Sequence, residues 1–452
     1  MSVGRMLPKL LAFTIPLMLS GVLQLAFNAA DLVVVGRFAG EAALAAVGSN
    51  TALVSLVVNV FMGLGTGSSV LVSRHFGAKD EKSLSETVQT SVLVAAVGGV
   101  VFGILGVCVA GPLLVLMGTP PDVLPLAKLY LRIYFCGLPV MALFNFSSAV
   151  LRAVGDTRRP LLYMAIAGVL NVLMNLFFVI VLHMSVSGVA IATVLSQAVS
   201  ACLTLRCLRR SNGIYRLPQG RLHFYGTQFR QLLRIGLPAG IQGSLFSISN
   251  VIIQSSVNSF GYMVMAGNSA AASIESFVFC AQDSVAQAST ASVSQNMGAR
   301  NYARTKKAVL CCSLLEVAFS LVLSIGMILL RKPLLGIYTS DAEAIAAGTV
   351  RILVIGSAFF VNGLMNMMNC AIRGHGYSML PTLITLIGCC GLRLVWIYTV
   401  FAANPSMKLL YLSYPLSWVL TTCAQYICYF SVRKKAFAQN EAEYAAKAAL
   451  QS

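Results

Sequence analysis

The chain states the same pattern twice, about 221 residues apart. Val72, Ser73, Gly77, Ala78 and Lys79 return as Val293, Ser294, Gly298, Ala299 and Arg300, and Leu151, Arg152, Gly155 and Pro160 return as Ile372, Arg373, Gly376 and Pro381. One further residue of slip aligns the starts of the halves, where Leu10, Leu11, Pro16 and Asn28 become Leu232, Leu233, Pro238 and Asn250. A duplicated chain folds as two related halves. When each half reads as apolar helix, the physical setting is a membrane transporter whose site belongs to the repeats.

Composition decides the setting: 58% of residues are hydrophobic and 10% charged, with a mean hydropathy of +0.82. A soluble domain cannot hide that much apolar surface. A spanning helix needs roughly 20 mainly apolar residues, and twelve such stretches are centred near residues 22, 60, 97, 138, 171, 197, 245, 280, 317, 358, 391 and 420. The predicted fold is an all-α integral membrane protein, with twelve transmembrane helices in two parallel six-helix repeats, or lobes, around a central cleft. The expected division is 1–208 for the N-terminal lobe, 209–229 for a cytoplasmic linker, 230–433 for the C-terminal lobe and 434–452 for a cytoplasmic tail.

The net charge of +18 marks one side of a membrane rather than a nucleic-acid partner. Loops after even-numbered helices and both termini carry Arg74, Lys79, Arg152, Arg158, Arg209, Arg300, Arg304, Arg433 and other basic residues; the opposite loops carry Arg37, Lys128, Arg331, Lys332 and Lys408. The positive-inside rule then places both termini in the cytoplasm of a multi-pass protein of a bacterial-type plasma membrane. Six helices per half give both halves the same orientation. Residues 8–30 are read as a span and not as a cleaved signal peptide, because their repeat partner at 232–258 lies mid-chain.

No soluble-enzyme pattern is present: GxxxxGK[ST], GxSxG and HExxH are all missing, and the twelve cysteines show no CxxC or Cys/His metal spacing. They read as small packing residues. No cofactor or metal is implied, and without a nucleotide-binding loop any pumping must draw on an ion gradient. An intramembrane carboxylate is therefore the place to look. Asp31 stands out, fifteen residues after Pro16, with Ile253 as its repeat counterpart. A capping role near the helix end is the alternative reading.

These residues resemble the multidrug and toxic compound extrusion (MATE) family. The resemblance rests on the Pro16 to Asp31 helix with Gly36, on Gly77-Ala78-Lys79, and on Leu151-Arg152-Ala153-Val154-Gly155-Asp156-Thr157-Arg158-Arg159-Pro160 with its repeat at Ile372-Arg373-Gly374-His375-Gly376, and it spans nearly all of residues 5–435. It implies a cation-coupling cluster on helices 1, 5 and 6, matched here by Asp31, Asn171, Asn175 and Thr193. A second acid found in such families at the position of Asn175 is absent. A single carboxylate favours H+ as coupling ion, while the amide oxygens leave Na+ open; interhelical hydrogen bonding alone is the other reading of the two asparagines.

In the C-terminal half, the positions where another branch of the family carries acids hold Phe246 or Ser247 and Asn362. Helix 8 instead carries Glu275 and Asp283, eight residues apart, as a cationic-drug site, a second proton site or a non-titrating polar lining. Glu316 is expected near a lobe surface or paired locally. Asn362, Asn366 and Asn369 form a polar stripe beside Met365. With Gln242, Asn250 and Gln254 on helix 7 and Gln24 and Asn28 on helix 1, they make the expected substrate cavity, with Pro16 as the helix hinge.

The expected function is cation-coupled export of organic cations or amphipathic drugs by rocker-switch alternating access, by a monomer. A lipid or lipid-linked saccharide flippase is the alternative. It would need Arg or Lys lining its cleft, and the in-helix cations Arg132, Arg351 and Arg393 are read as snorkelling near helix ends.

Overall fold

The computed structural model describes residues 3–218 and 220–449. Twelve helical segments follow one another: α1 (Met6–Val34), α2 (Glu41–Ala78), α3 (Glu81–Leu116), α4 (Leu124–Cys136 and Leu138–Ala153, bent by 48°), α5 (Arg158–Leu176) and α6 (Val186–Arg210). Then come α7 (Gly226–Asn258), α8 (Tyr262–Gly298), α9 (Tyr302–Leu329), α10 (Ala342–Gly356 and Phe359–Gly374, bent by 51°), α11 (Met379–Phe401) and α12 (Met407–Ala449). Among the described residues nine helices are long and apolar enough to cross a membrane, or eleven when each bent pair counts as one span. The 43-residue α12 has the length for a twelfth. The chain is an all-α multi-pass membrane protein, as its sequence predicts.

The duplication is written into the backbone. Left-handed residues recur 221 apart, as Gly40 and Gly261, Lys79 and Arg300, Gly155 and Gly376. Each pair ends or begins a helix at the same place in its half, and the glycines occur where a side chain would strain the turn. One tertiary hydrogen bond also recurs: Ser73 Oγ donates to Ala153 O at 3.0 Å, and Ser294 Oγ donates to Gly374 O at 3.2 Å.

Chain contacts divide the molecule into two compact units, Leu19–Gly240 and Met1–Met18 with Ile241–Ser452. The sequence division at 209–229 and this division are different partitions, because the first turns of α1 and of α7 each pack with the other half's helices. In the first unit, α7 crosses α2 with backbones nearly touching: a Cβ on Gly63 would lie 2.1 Å from Gly240 N, and one on Gly67 would lie 2.5 Å from Leu232 O. Gly63 and Gly67, like Gly236 and Gly240, are spaced as the small residues of close transmembrane crossings. In the second unit, Met6, Leu10, Phe13 and Leu17 join Val285, Ala288, Met367 and Met368 in one apolar cluster.

The segment after Arg433 continues α12 as helix. Asn440 Nδ2 donates to Met297 O at 3.0 Å, Tyr444 Oη donates to Gly298 O at 2.8 Å, and Glu441 pairs with Arg300. The last three residues of the expected tail, 450–452, and Gln219 of the expected linker lie outside the described residues.

Candidate functional site

Within the unit Leu19–Gly240, a close approach sets α1 against α5. A Cβ on Gly168 would stand 1.8 Å from the Phe27 ring, so only glycine admits this packing. One helical turn beyond Phe27 lies Asp31, and two turns beyond Gly168 lies Asn175. Both helices then loosen into π-helical turns, Val35–Ala39 and Phe177–Val181, which pack against each other. Turns of this kind are rare and frequent at functional sites.

The four residues expected to form the cation cluster make one hydrogen-bonded chain. Asn175 Nδ2 donates to Asp31 Oδ1 at 2.5 Å and to Asn171 Oδ1 at 3.3 Å, and Asn171 Nδ2 donates to Thr193 Oγ1 at 3.4 Å. Asn171 and Asn175 are buried while Asp31 and Thr193 are half-buried. Asn175 Oδ1 is buried with no hydrogen-bond partner. A carboxylate beside an unpaired amide oxygen is a setting that a proton on Asp31, or a cation taking oxygen ligands, would relieve. Tyr130, close enough for its charge to interact with that of Asp31 and stacked on Tyr134 at 6.3 Å, was not anticipated. It belongs to no motif.

The residues expected to line a cavity differ in burial. Gln24, Asn28, Asn250 and Asp283 are exposed, Gln242, Gln254 and Asn366 are half-buried, and Glu275, Asn362, Met365 and Asn369 are buried. Asn362 Nδ2 donates to Gln282 Oε1 at 2.7 Å, whose own amide reaches Ser320 Oγ at 3.0 Å. Pro16 lies inside α1, which continues through it.

Glu275 and Asp283 do not act as a pair. Glu275 is fork-bonded by Arg351, Nη2 to Oε2 at 2.7 Å and Nε to Oε1 at 3.0 Å, whereas Asp283 accepts from Gln287 Nε2 at 2.7 Å on an exposed surface. Eight residues are about 80° off a full number of turns, enough to separate the two environments. Arg351 also donates to Asn268 Oδ1 at 2.6 Å, and Asn268 Nδ2 donates to Gln254 Oε1 at 3.0 Å.

Two sequence expectations are corrected here, the snorkelling arginines and Arg373. Arg351 and Arg393 do not snorkel: the first is locked to Glu275, and the second is only 2% exposed. Glu316 takes the second of its two expected settings: it is buried and paired locally, accepting from Ser320 Oγ at 2.9 Å. Arg373, read as a loop cation, is buried and donates to Gln242 Oε1 at 2.7 Å. The Arg351–Glu275 pair had a signal in the sequence, one cation and one acid inside apolar stretches of the same half, where each needs the other.

Comparison with known proteins fits this architecture. The profile of the MatE family matches residues 16–177 and again 238–399. The chain belongs to the MatE family. Both matches begin at the proline of a half's first helix, so the family unit and the internal repeat coincide. Among curated proteins, it is 28% identical over 96% of its length to "Probable multidrug resistance protein YpnP" of Bacillus subtilis, of which 97% is covered. It is 23% identical over 96% of its length to an "FAD transporter" of Shewanella oneidensis, of which 95% is covered. Among solved structures, an outward-facing multidrug resistance MATE family transporter of the MOP superfamily superposes with a TM-score of 0.88 at 20% identity, with 97% of each chain covered. The protein is thus a membrane transporter and not an enzyme.

Proposed function

We propose that this MatE transporter exports organic cations and amphipathic drugs by rocker-switch alternating access, driven by a cation that enters through the Asp31 cluster. The observation that carries the reading is the chain Asp31–Asn175–Asn171–Thr193, which ties the membrane carboxylate of the first repeat to two other helices. Protonating Asp31 gives its carboxyl one O–H donor, for which the unpartnered Asn175 Oδ1 is an available acceptor, so cation occupancy is coupled to the packing of α1 on α5. The proton is favoured over Na+ because one carboxylate is available. Each charge moved inward along the field adds about 2.3 kcal/mol per 100 mV.

The multidrug names of relatives support the exporter reading, and the flavin cargo of another shows that names alone do not fix the substrate. Both termini are placed in the cytoplasm, and the transporter is taken to work as a monomer in the plasma membrane. The test is rhodamine 6G uptake into proteoliposomes under imposed proton or sodium gradients. Gradient-driven uptake by the wild type and its loss in Asp31→Asn are expected. Equal uptake by the variant, or none by well-folded wild type, overturns the reading.

A further inference from the structure

The second repeat carries a site of opposite polarity at the place where the first carries the cation cluster. In α5, Asn171 lies eleven residues after Pro160; in α11, Arg393 lies twelve after Pro381. The extra residue has a visible home. Between the prolines and these positions α5 is uninterrupted α-helix, whereas α11 contains a π-helical turn, Leu386–Gly391, which holds one residue more than an α-turn. Arg393 therefore occupies the helical face of Asn171.

The neighbouring helix contributes in both halves. Asn171 meets Thr193 of α6 through a hydrogen bond, and the Arg393 guanidinium lies over the Tyr414 ring of α12 at 4.1 Å. The counterpart of Asp31 is Ile253, so the acid of the first cluster is replaced by an aliphatic side chain while its amide is replaced by a cation.

Arg393 is 2% exposed, and among the described residues no carboxylate comes within ion-pair distance of it. Its Nε donates to Ser417 Oγ at 3.0 Å, and Trp418 and Phe246 complete an aromatic surround at 5.7 and 5.8 Å. Its Nη2 is buried and has no hydrogen-bond partner. Cation–π contacts offset part of the cost of a buried charge. They leave a guanidinium with a donor that has no acceptor.

We propose that Arg393 is the anion-binding residue of the second repeat, taking a carboxylate carried on a flat aromatic substrate that stacks against Tyr414 and Trp418. In this conformation Nη2 is closed to solvent, so the carboxylate enters in another state of the cycle. The proposal rests on the exporter reading only for its transport consequence; binding is measured without a gradient.

The probes are fluorescein, an anionic xanthene, and rhodamine 6G, a cationic one, titrated by fluorescence anisotropy into the whole protein in nanodiscs. Arg393→Gln should weaken fluorescein binding by about tenfold or more, as expected for loss of a charge-assisted contact, and leave rhodamine 6G binding unchanged. Equal fluorescein affinity in wild type and Arg393→Gln, or no fluorescein binding by wild type, overturns the proposal; equality is also the outcome if chloride alone occupies the arginine. If Arg393→Gln does not fold, Arg393→Met replaces it, keeping an unbranched stem among the aromatic rings but removing the charge. Wild-type fluorescein affinity in that variant overturns the proposal equally. Neither result bears on Asp31, whose failure would show only in gradient-driven rhodamine 6G transport.

Discussion

At the scale of single residues, His375 shows how burial makes a side chain a pH-dependent element. It sits just beyond α10, packed between Tyr429 and Phe437, with Nδ1 2.8 Å from Ala371 O and Arg433 nearby. Burial pushes its pKa down to about 4, against a backbone hydrogen bond that raises it. The unfolded chain, with a His pKa near ~6.5, takes up the proton first as pH falls. Stability attached to His375 is thus fully present above about pH 6.5 and is lost between there and about pH 4, by on the order of 3 kcal/mol. Thermal unfolding from pH 7.5 to 4.5 should show this slope in the wild type and a shallower one in His375→Asn. Glu316 makes the complementary case, a buried carboxyl whose Oε2 has no hydrogen-bond partner. Because Gln keeps its shape without charge, Glu316→Gln should keep the wild-type stability to within about 1 kcal/mol, whereas Glu316→Ala should lose about 2 kcal/mol or more, as read from denaturation.

At the scale of elements, close helix packing positions the cation cluster. Gly168 lets Phe27 lie against α5, and that contact brings Asp31 to Asn175 one turn farther on. Gly168→Ala should push α1 away, cost roughly 1–3 kcal/mol of stability as overpacked cores do, and reduce gradient-driven transport. Phe27→Ala in the same chain should restore part of both, a non-additivity that a double-mutant cycle of melting and transport would read. Independent, additive losses would mean that the contact does not position the cluster. Much at this scale was legible: α1, α5 and α6, the Pro16 to Asp31 spacing and the asparagine pair one turn apart led to residues that do meet. What stayed hidden depends on the helices' departures from regularity. The position of Tyr130 near Asp31 leaves no motif, and the π-turn in α11 changes which face the following side chains take without leaving one either. A strict 221-residue register sets Leu392, not Arg393, against Asn171, and so conceals the arginine's place.

At the scale of the whole molecule, the repeat was plain in the sequence, but the path of the chain between the two units was not. Pattern matching divides the chain in the polar stretch 209–229, whereas contacts divide it at Met18/Leu19 and Gly240/Ile241. Each of these breaks falls inside a continuous helix, two residues after a proline, Pro16 in α1 and Pro238 in α7. A proline in a helix interior lacks the N–H that would bond to the residue four positions earlier and crowds that carbonyl, so bending is cheapest there. The chain thus passes from one unit to the other two residues after a proline in both helices. If they are the hinges, stiffening one should slow the cycle without altering the cluster that binds the driving ion. Pro16→Ala and Pro238→Ala should each lower the rhodamine 6G transport rate several-fold while equilibrium binding stays within about twofold of wild type. The double variant should be slower than either, since two joints in parallel constrain one motion. Wild-type rates in both single variants would show that the prolines tune packing only and that the flexing lies elsewhere. Weakened binding in Pro16→Ala alone would instead assign that proline to the architecture of the Asp31 cluster.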